Sequence, residues 1–194
     1  GDVVDVYIFA YNQLLMLMLY PAFLKVLRPS FLPVYHEILA DEGEDRANSF
    51  AFAFMRTLAA GVALVAGLTA VFAYDVAALM NPGWGPRKIA LAESMIHVMA
   101  PGIFCVLLAE LALIFFHAKR KFAVPHGAEA AMKVLWGVGI LGAGVLVGAR
   151  PISIAWTFSA ACLVQLVING IGLRKELSGH AWEKTRFLRP TALL

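Results

Sequence analysis

Long apolar runs alternate with short polar connections along the chain, and this pattern predicts membrane-spanning helices. A spanning helix needs about 20 predominantly apolar residues, each adding about 1.5 Å of length. Five segments satisfy this requirement, at about residues 6–27, 50–80, 94–117, 128–149 and 152–173. The connections are too short for a soluble domain, so residues 1–175 are predicted to form one transmembrane bundle. Residues 176–194 are predicted to be a cytoplasmic or interfacial tail.

Composition supports an all-α, polytopic transmembrane helix bundle. Of the 194 residues, 61% are hydrophobic and 15% are charged, with a mean hydropathy of +0.77. A soluble domain has roughly 45–50% apolar and about 25% charged residues. This balance argues against a nucleic-acid partner and makes membrane lipids the expected surroundings. Cys105 and Cys162 lie inside apolar runs without metal-binding spacing, so we expect no disulfide, metal or cofactor.

The placement of the 16 Lys and Arg residues predicts the orientation of the helices. On alternating sides of the predicted spans, 13 of them fall on one side and 3 on the other. Cytoplasmic connections carry the excess of Lys and Arg. Residues 117–127, which include three consecutive cations, and the C-terminal tail are therefore predicted to be cytoplasmic. The first helix then starts outside, which, together with the initial Gly, predicts a preceding helix that this sequence lacks.

Two opposite charges within the spans are candidates for an interhelical ion pair. Glu110 lies seven residues inside the third span from His117, and Lys133 lies near the start of the fourth. Because the short connection makes these helices antiparallel neighbours, we predict a Glu110–Lys133 pair facing the bundle interior. An alternative stays open, in which Lys133 extends to the headgroups and Glu110 is protonated or hydrated.

Uncharged polar side chains within the spans indicate cavity walls or contacts between helices. Asn12 and Gln13 lie near the middle of the first span, and amides in hydrocarbon bond to another helix or line water. Gln165 and Asn169 invite the same interpretation in the fifth span. Asp5, at the predicted external end of the first span, is either a solvated carboxylate or part of an external gate.

The chain shows no set of residues that would carry enzymatic chemistry. It has no phosphate-binding Gly loop in a strand-to-helix context and no Ser/His/Asp arrangement. Glu93 and His97 lie one turn apart but lack the further ligands that a metal requires. A catalytic role is therefore not expected.

Four segments, in order, carry motifs of one transporter family. "FLPVYHEILADEGEDRANSF" is similar to F-V-P-V-x-x-E-Y followed by an acidic loop, and "LMNPGW" to A-P-G-F. "HAKRKFAVPHGAEAAMKV" is similar to N-x-x-x-R-F-x-I-P-A, and "IAWTFSAACLVQLVINGIGLRK" to L-A-W-x-x-x-x-G-x-x-Q-L-x-x-Q-L-P-x-L-K. Over about residues 5–175 the chain thus resembles the bacterial lipid II flippase family (MurJ/MviN) of the multidrug/oligosaccharidyl-lipid/polysaccharide exporter superfamily.

This resemblance implies a fold, a function and a location. The family's two lobes surround a central cavity, and the chain looks like the second to sixth helices of the first lobe. The implied function is movement of a polyprenyl-diphosphate-linked glycan across the bacterial inner membrane by alternating access. The helices missing from this lobe would come from the same protein or from a partner chain. The alternatives are a flippase for an exopolysaccharide precursor and a non-transporting membrane scaffold that pairs with another chain.

The resemblance also selects candidate substrate-binding residues. The family places a cavity arginine in D-A-F-F-V-A-F-R, where this chain has "DVYIFAYN" and Asn12. The family's R-R-L-F-A-E-G-A-F is replaced by "LYPAFLKVLRPSF", which keeps cations at Lys25 and Arg28. A diphosphate needs cationic or strong hydrogen-bond donors. Asn12, Lys25 and Arg28, with Asp5 at the external end, are therefore the predicted contacts to the headgroup.

Overall fold

The computed structural model describes residues 2–11, 20–147 and 150–177, with side chains for residues 4–11, 26–146 and 150–176. These residues form helices and no strand, which confirms the predicted all-α bundle. The helices are α1 (Asp2–Ile8), α2 (Tyr20–Asp41), α3 (Glu44–Val71), α4 (Ala73–Met80), α5 (Pro86–Ala118), α6 (Ala123–Val147) and α7 (Pro151–Leu177).

Four helices in the described part of the chain are long and apolar enough to cross a membrane. They cover Glu44–Val71, Pro86–Ala118, Ala123–Leu146 and Pro151–Glu176. The first predicted span includes residues 12–19, which lie outside the described residues. The exposed apolar side chains of α6, such as Val138, Leu141 and Val145, are those expected at a lipid-facing surface.

Helix ends follow local sequence signals. Pro86 and Pro151 begin α5 and α7, where a missing backbone donor costs nothing. Glu44 and Asp45 occupy the first turn of α3, and Arg174 and Lys175 the last turn of α7. Acidic side chains at a helix N-terminus and basic side chains at a C-terminus interact favourably with the helix dipole, so these charges stabilise the helix ends.

Two regions differ from the sequence-based boundaries. The predicted connection after residue 27 is mostly helical, because α2 continues through Pro29 and Pro33 to Asp41. The predicted 50–80 segment is divided at Phe72, whose φ of −100° and ψ of 27° separate α3 from α4. Phe72 N–H still donates to the Leu68 carbonyl, and Val76 N–H to the Phe72 carbonyl. The chain therefore bends without losing these hydrogen bonds.

Helix α5 is the centre of the bundle, since it contacts all six other helices. Its first half packs with α1, α4 and α7 around Met95, Ile96 and Met99. Its last turns pack with α2 and α3 around Phe31, Tyr35 and Phe115. The two apolar clusters hold the two ends of α5 against different helices.

Glycine permits the closest approach between α5 and α7. A Cβ on Gly102 would lie 2.8 Å from Ser159 Oγ and 2.9 Å from Ser159 Cα. Ser159 Oγ donates a hydrogen bond of 2.7 Å to the Val98 carbonyl on α5. The contact thus combines backbone proximity with a hydrogen bond between helices, as is common in membrane bundles.

Candidate functional site

Arg28 lies in the middle of α2, next to a locally opened backbone. Pro29 has no N–H to donate to the Lys25 carbonyl, and Pro33 has none for the Pro29 carbonyl. The Nε of Arg28 is buried and donates no hydrogen bond, although the side chain as a whole is only partly buried. Arg28 also forms no ion pair within the described residues. A buried guanidinium donor without an acceptor is costly, so this position favours an anionic ligand.

Two histidines lie where the end of α5 meets the start of α6, and Arg28 acts on one of them. The Arg28 guanidinium is close enough to act electrostatically on His117, in the last turn of α5. The His117 ring centroid is 6.0 Å from that of His126 on α6 and 5.1 Å from that of Phe122. His126 Nδ1 lies 3.7 Å from Glu129 Oε2. We call Arg28, His117 and His126 the arginine–histidine cluster, in which His117 lies within electrostatic reach of Arg28 and beside the ring of His126.

The sequence analysis missed both histidines of this cluster as site residues. Their spacing in the sequence carries no recognisable signal, because the proximity of Arg28 to His117 arises only when the end of α5 packs beside α2.

Lys133 finds a carboxylate on its own helix. Its Nζ donates a hydrogen bond of 2.7 Å to Glu129 Oε1, four residues earlier, and the side chain is 64% exposed. Glu110 is 5% exposed within α5. Lys133 is therefore paired with Glu129, and the predicted interhelical ion pair between Glu110 and Lys133 is not formed between these two described side chains. The signal that predicts the observed partner is the Glu-to-Lys spacing of four residues in one helix.

Asp5 lies at the opposite end of the bundle from the arginine–histidine cluster. Lys88 Nζ, at the start of α5, donates a hydrogen bond of 2.7 Å to Asp5 Oδ2. This bond and the charge of Lys88 lower the pKa of Asp5 below its ordinary value. Lys88 Nζ also lies 4.7 Å from the ring centroid of Trp84, against which Phe9 packs edge-on. Asp5 thus joins α1 to α5, and the structure does not bring it to Arg28.

The other polar residues that the sequence analysis selected lie in the first, second and last parts of the chain. Asn12 and Gln13 lie outside the described residues. Lys25 lies on α2, one turn before Arg28, but its side chain is outside the described set. Gln165 and Asn169 are 4% and 1% exposed in α7, and the side-chain amide oxygen of each accepts no hydrogen bond among the described residues. Within the described ranges, no group of three His, Cys, Asp or Glu side chains is arranged to hold a metal ion.

Comparison with known protein families identifies the chain. Residues 1–190 match the family described as "Lipid II flippase MurJ". The chain belongs to the MurJ family. A search of curated proteins found no match. MurJ proteins are membrane transporters that bind lipid II in the inner membrane, and are not enzymes. The family therefore agrees with the apolar helices, which have the length and composition of membrane spans.

Proposed function

We propose that this chain forms part of the first lobe of a flippase that moves a polyprenyl-diphosphate-linked glycan, lipid II or a related envelope precursor, by alternating access. The observation that carries the proposal is the buried, unpartnered Nε of Arg28 within a MurJ-family bundle. The diphosphate is the one part of such a substrate that is charged whatever the glycan. A site for it needs cationic or strong hydrogen-bond donors.

The arginine–histidine cluster supplies these donors. A guanidinium binds phosphate oxygens through two parallel N–H donors, and charge-assisted hydrogen bonds are roughly twice as strong as neutral ones. His117 and His126 add ring N–H donors from α5 and α6. Glu129 lies beside His126, with Oε2 3.7 Å from Nδ1, but its Oε1 is bound by Lys133 at 2.7 Å. The cluster therefore offers the phosphates several directed donors. Lys25, one turn before Arg28 on α2, is proposed as a second cation, and Asn12 as a polar contact.

The distribution of ion pairs supports alternating access. At one end of α5, Lys88 bridges to Asp5 on α1. At the other end, Lys119 bridges to Glu44 on α3, and Lys121 to Glu176 on α7. At each end, ion pairs that are partly exposed to solvent thus join separate helices. Such pairs cost little to break, which suits ends that open in turn. In this proposal the Lys119 end is cytoplasmic and the Asp5 end external.

Complementation tests the proposed function. The complete gene that contains this sequence is expressed in cells depleted of their lipid II flippase, beside Arg28→Gln and Arg56→Gln. Arg56 is an exposed arginine of α3 that makes no ion pair among the described residues, so it controls for loss of one charge. We expect the unaltered gene and Arg56→Gln to restore growth, and Arg28→Gln to fail at equal membrane abundance.

Two results would count against this assignment. Rescue by Arg28→Gln equal to the unaltered gene would remove the role given to Arg28. Failure of the unaltered gene at normal abundance would exclude lipid II as the substrate and favour an exopolysaccharide precursor or a scaffold role.

A further inference from the structure

A separate cavity opens beside the turn between α5 and α6. Its volume is about 410 Å³, and four parts of the bundle contribute to its wall. The contributions are Tyr35, His36 and Leu39 from α2, Glu44 from α3, Ala118 to Lys121 from the turn, and Glu176 from α7. None of the residues of the arginine–histidine cluster lines it. The cavity is therefore a second polar site at this end of the molecule.

The turn that forms one wall has an unusual residue at its central position. Lys121 N–H donates to the Phe116 carbonyl at 2.8 Å, and Arg120 N–H to the His117 carbonyl at 3.0 Å. These two bonds define a Schellman motif, whose C′ residue adopts a left-handed backbone and is usually Gly. Here the residue is Arg120, with a φ of 56°. A residue with a Cβ is strained in this left-handed conformation, and Gly would end the helix without that strain.

The charges in the wall leave Arg120 in excess. Lys119 Nζ lies 2.9 Å from Glu44 Oε1, and Lys121 Nζ 2.6 Å from Glu176 Oε1. Arg120 has no ion pair or hydrogen bond through its side chain among the described residues, and His36 is an exposed neighbour in the same wall. Three cations thus face two carboxylates, and the two lysines are already neutralised. The unneutralised Arg120 side chain extends from a turn whose backbone is held by the two hydrogen bonds of the Schellman motif.

From this geometry we infer that the cavity beside Arg120 is a binding site for a phosphate group, carried either by a phospholipid headgroup or by a soluble phosphate. Phosphate matches the site because its oxygens accept the paired donors of one guanidinium. His36 supplies a second donor from α2. The ligand would then connect α2 to the α5–α6 turn. The Lys119–Glu44 and Lys121–Glu176 pairs already join this turn to α3 and α7. The inference is independent of the proposed transport function, since no residue of the arginine–histidine cluster takes part.

The two sources of phosphate can be separated with purified protein in lipid nanodiscs. One arm titrates inorganic phosphate against chloride at equal ionic strength, in nanodiscs of phosphatidylcholine alone. The other arm compares nanodiscs of phosphatidylcholine with nanodiscs that also contain phosphatidic acid. The readouts are the dissociation constant for phosphate, and the number of phosphatidic acid molecules retained per protein on native mass spectrometry.

Three variants make the test specific. Arg120→Gln removes the charge and keeps a side chain at the strained position. Arg120→Gly removes both the charge and the strain, so we expect a higher melting temperature without ligand and no ligand binding; this guards against loss of binding through unfolding. Arg174→Gln is the matched control, since Arg174 is an exposed cation near the same end that does not line the cavity.

We expect at least one probe to bind, with affinity or retention lowered at least about tenfold in both Arg120 variants and unchanged in Arg174→Gln, because a charge-assisted hydrogen bond contributes that much. Binding of inorganic phosphate identifies a soluble ligand, and retention of phosphatidic acid alone identifies a lipid headgroup. Absence of both, or equal losses in the Arg120 and Arg174 variants, would overturn the inference.

Discussion

The Asp5 carboxylate and the Lys88 ammonium group are joined by a 2.7 Å ion pair, although 83 residues separate them in the sequence. The pair joins the first described helix to the start of the central helix α5. Lys88 is additionally held by the ring of Trp84, and its side chain is 17% exposed compared with 53% for Asp5. Asp5 therefore has a structural partner at this end, and its role as an external gate is a proposal that depends on whether this pair opens.

Acid should weaken the Asp5–Lys88 pair. The pKa of Asp5 is lowered in the folded protein, so the stabilisation is present above its ordinary value of 3.8 and is lost as pH falls through the folded pKa. On acidification from about pH 5 to about pH 3, we expect the melting temperature in detergent to fall less in Asp5→Asn than in the unaltered protein. Asp75→Asn removes an exposed carboxylate that has no ion pair among the described residues and should keep the original pH response. An identical pH response in Asp5→Asn would refute the linkage.

Replacement of Gly102 should separate α5 from α7. The Cβ of Gly102→Ala would meet the backbone Cα of Ser159 at 2.9 Å, where no side-chain rotation relieves the clash. We expect a loss of about 1–3 kcal/mol in the free energy of unfolding, as for other overpacked interiors. Gly61 has no atom within 4 Å of its Cβ position, so Gly61→Ala is the control and should be neutral or stabilising. The free energies are measured by denaturation in mixed micelles, and equal stabilities of the two variants would contradict the packing.

The partner of Lys133 can be determined with double-mutant cycles. We expect a coupling of about 0.3–0.5 kcal/mol between Glu129 and Lys133, as for exposed pairs four residues apart in a helix. Between Glu110 and Lys133 we expect no coupling, so the effects of the two single substitutions should add. The charge swap Glu110→Lys with Lys133→Glu should therefore rescue neither single variant. Rescue by the swap would contradict this expectation and support the interhelical Glu110–Lys133 pair predicted from the sequence.

Hydropathy predicted the bundle because the membrane imposes a length and an apolar composition on each span. It was less informative where local chemistry decides the backbone. The first predicted span ended at residue 27, yet α2 continues through Pro29 and Pro33 to Asp41. Ser30 Oγ donates to the Val26 carbonyl at 2.7 Å within the same segment. The bend at Phe72 carries no proline or glycine signal, so an unbroken segment was the reasonable expectation.

The candidate site was predictable only in part. Arg28 was selected because a diphosphate needs a cation, and the structure adds that its Nε is buried without an acceptor. His117 comes within electrostatic reach of Arg28 through tertiary packing, and His126 lies beside His117, neither of which sequence spacing encodes. The strain at Arg120 was likewise invisible, because only the backbone dihedral reveals that a cation replaces the usual glycine.

The most direct test of the account is a binding measurement on the protein expressed from its complete gene and purified in nanodiscs. Native mass spectrometry would compare a polyprenyl-diphosphate-linked glycan with the same polyprenyl chain carrying a neutral glycan. The account predicts selective retention of the diphosphate lipid, weakened about tenfold by Arg28→Gln through loss of a charge-assisted bond and unchanged by Arg56→Gln. Equal retention of both lipids, or full retention by Arg28→Gln, would contradict it.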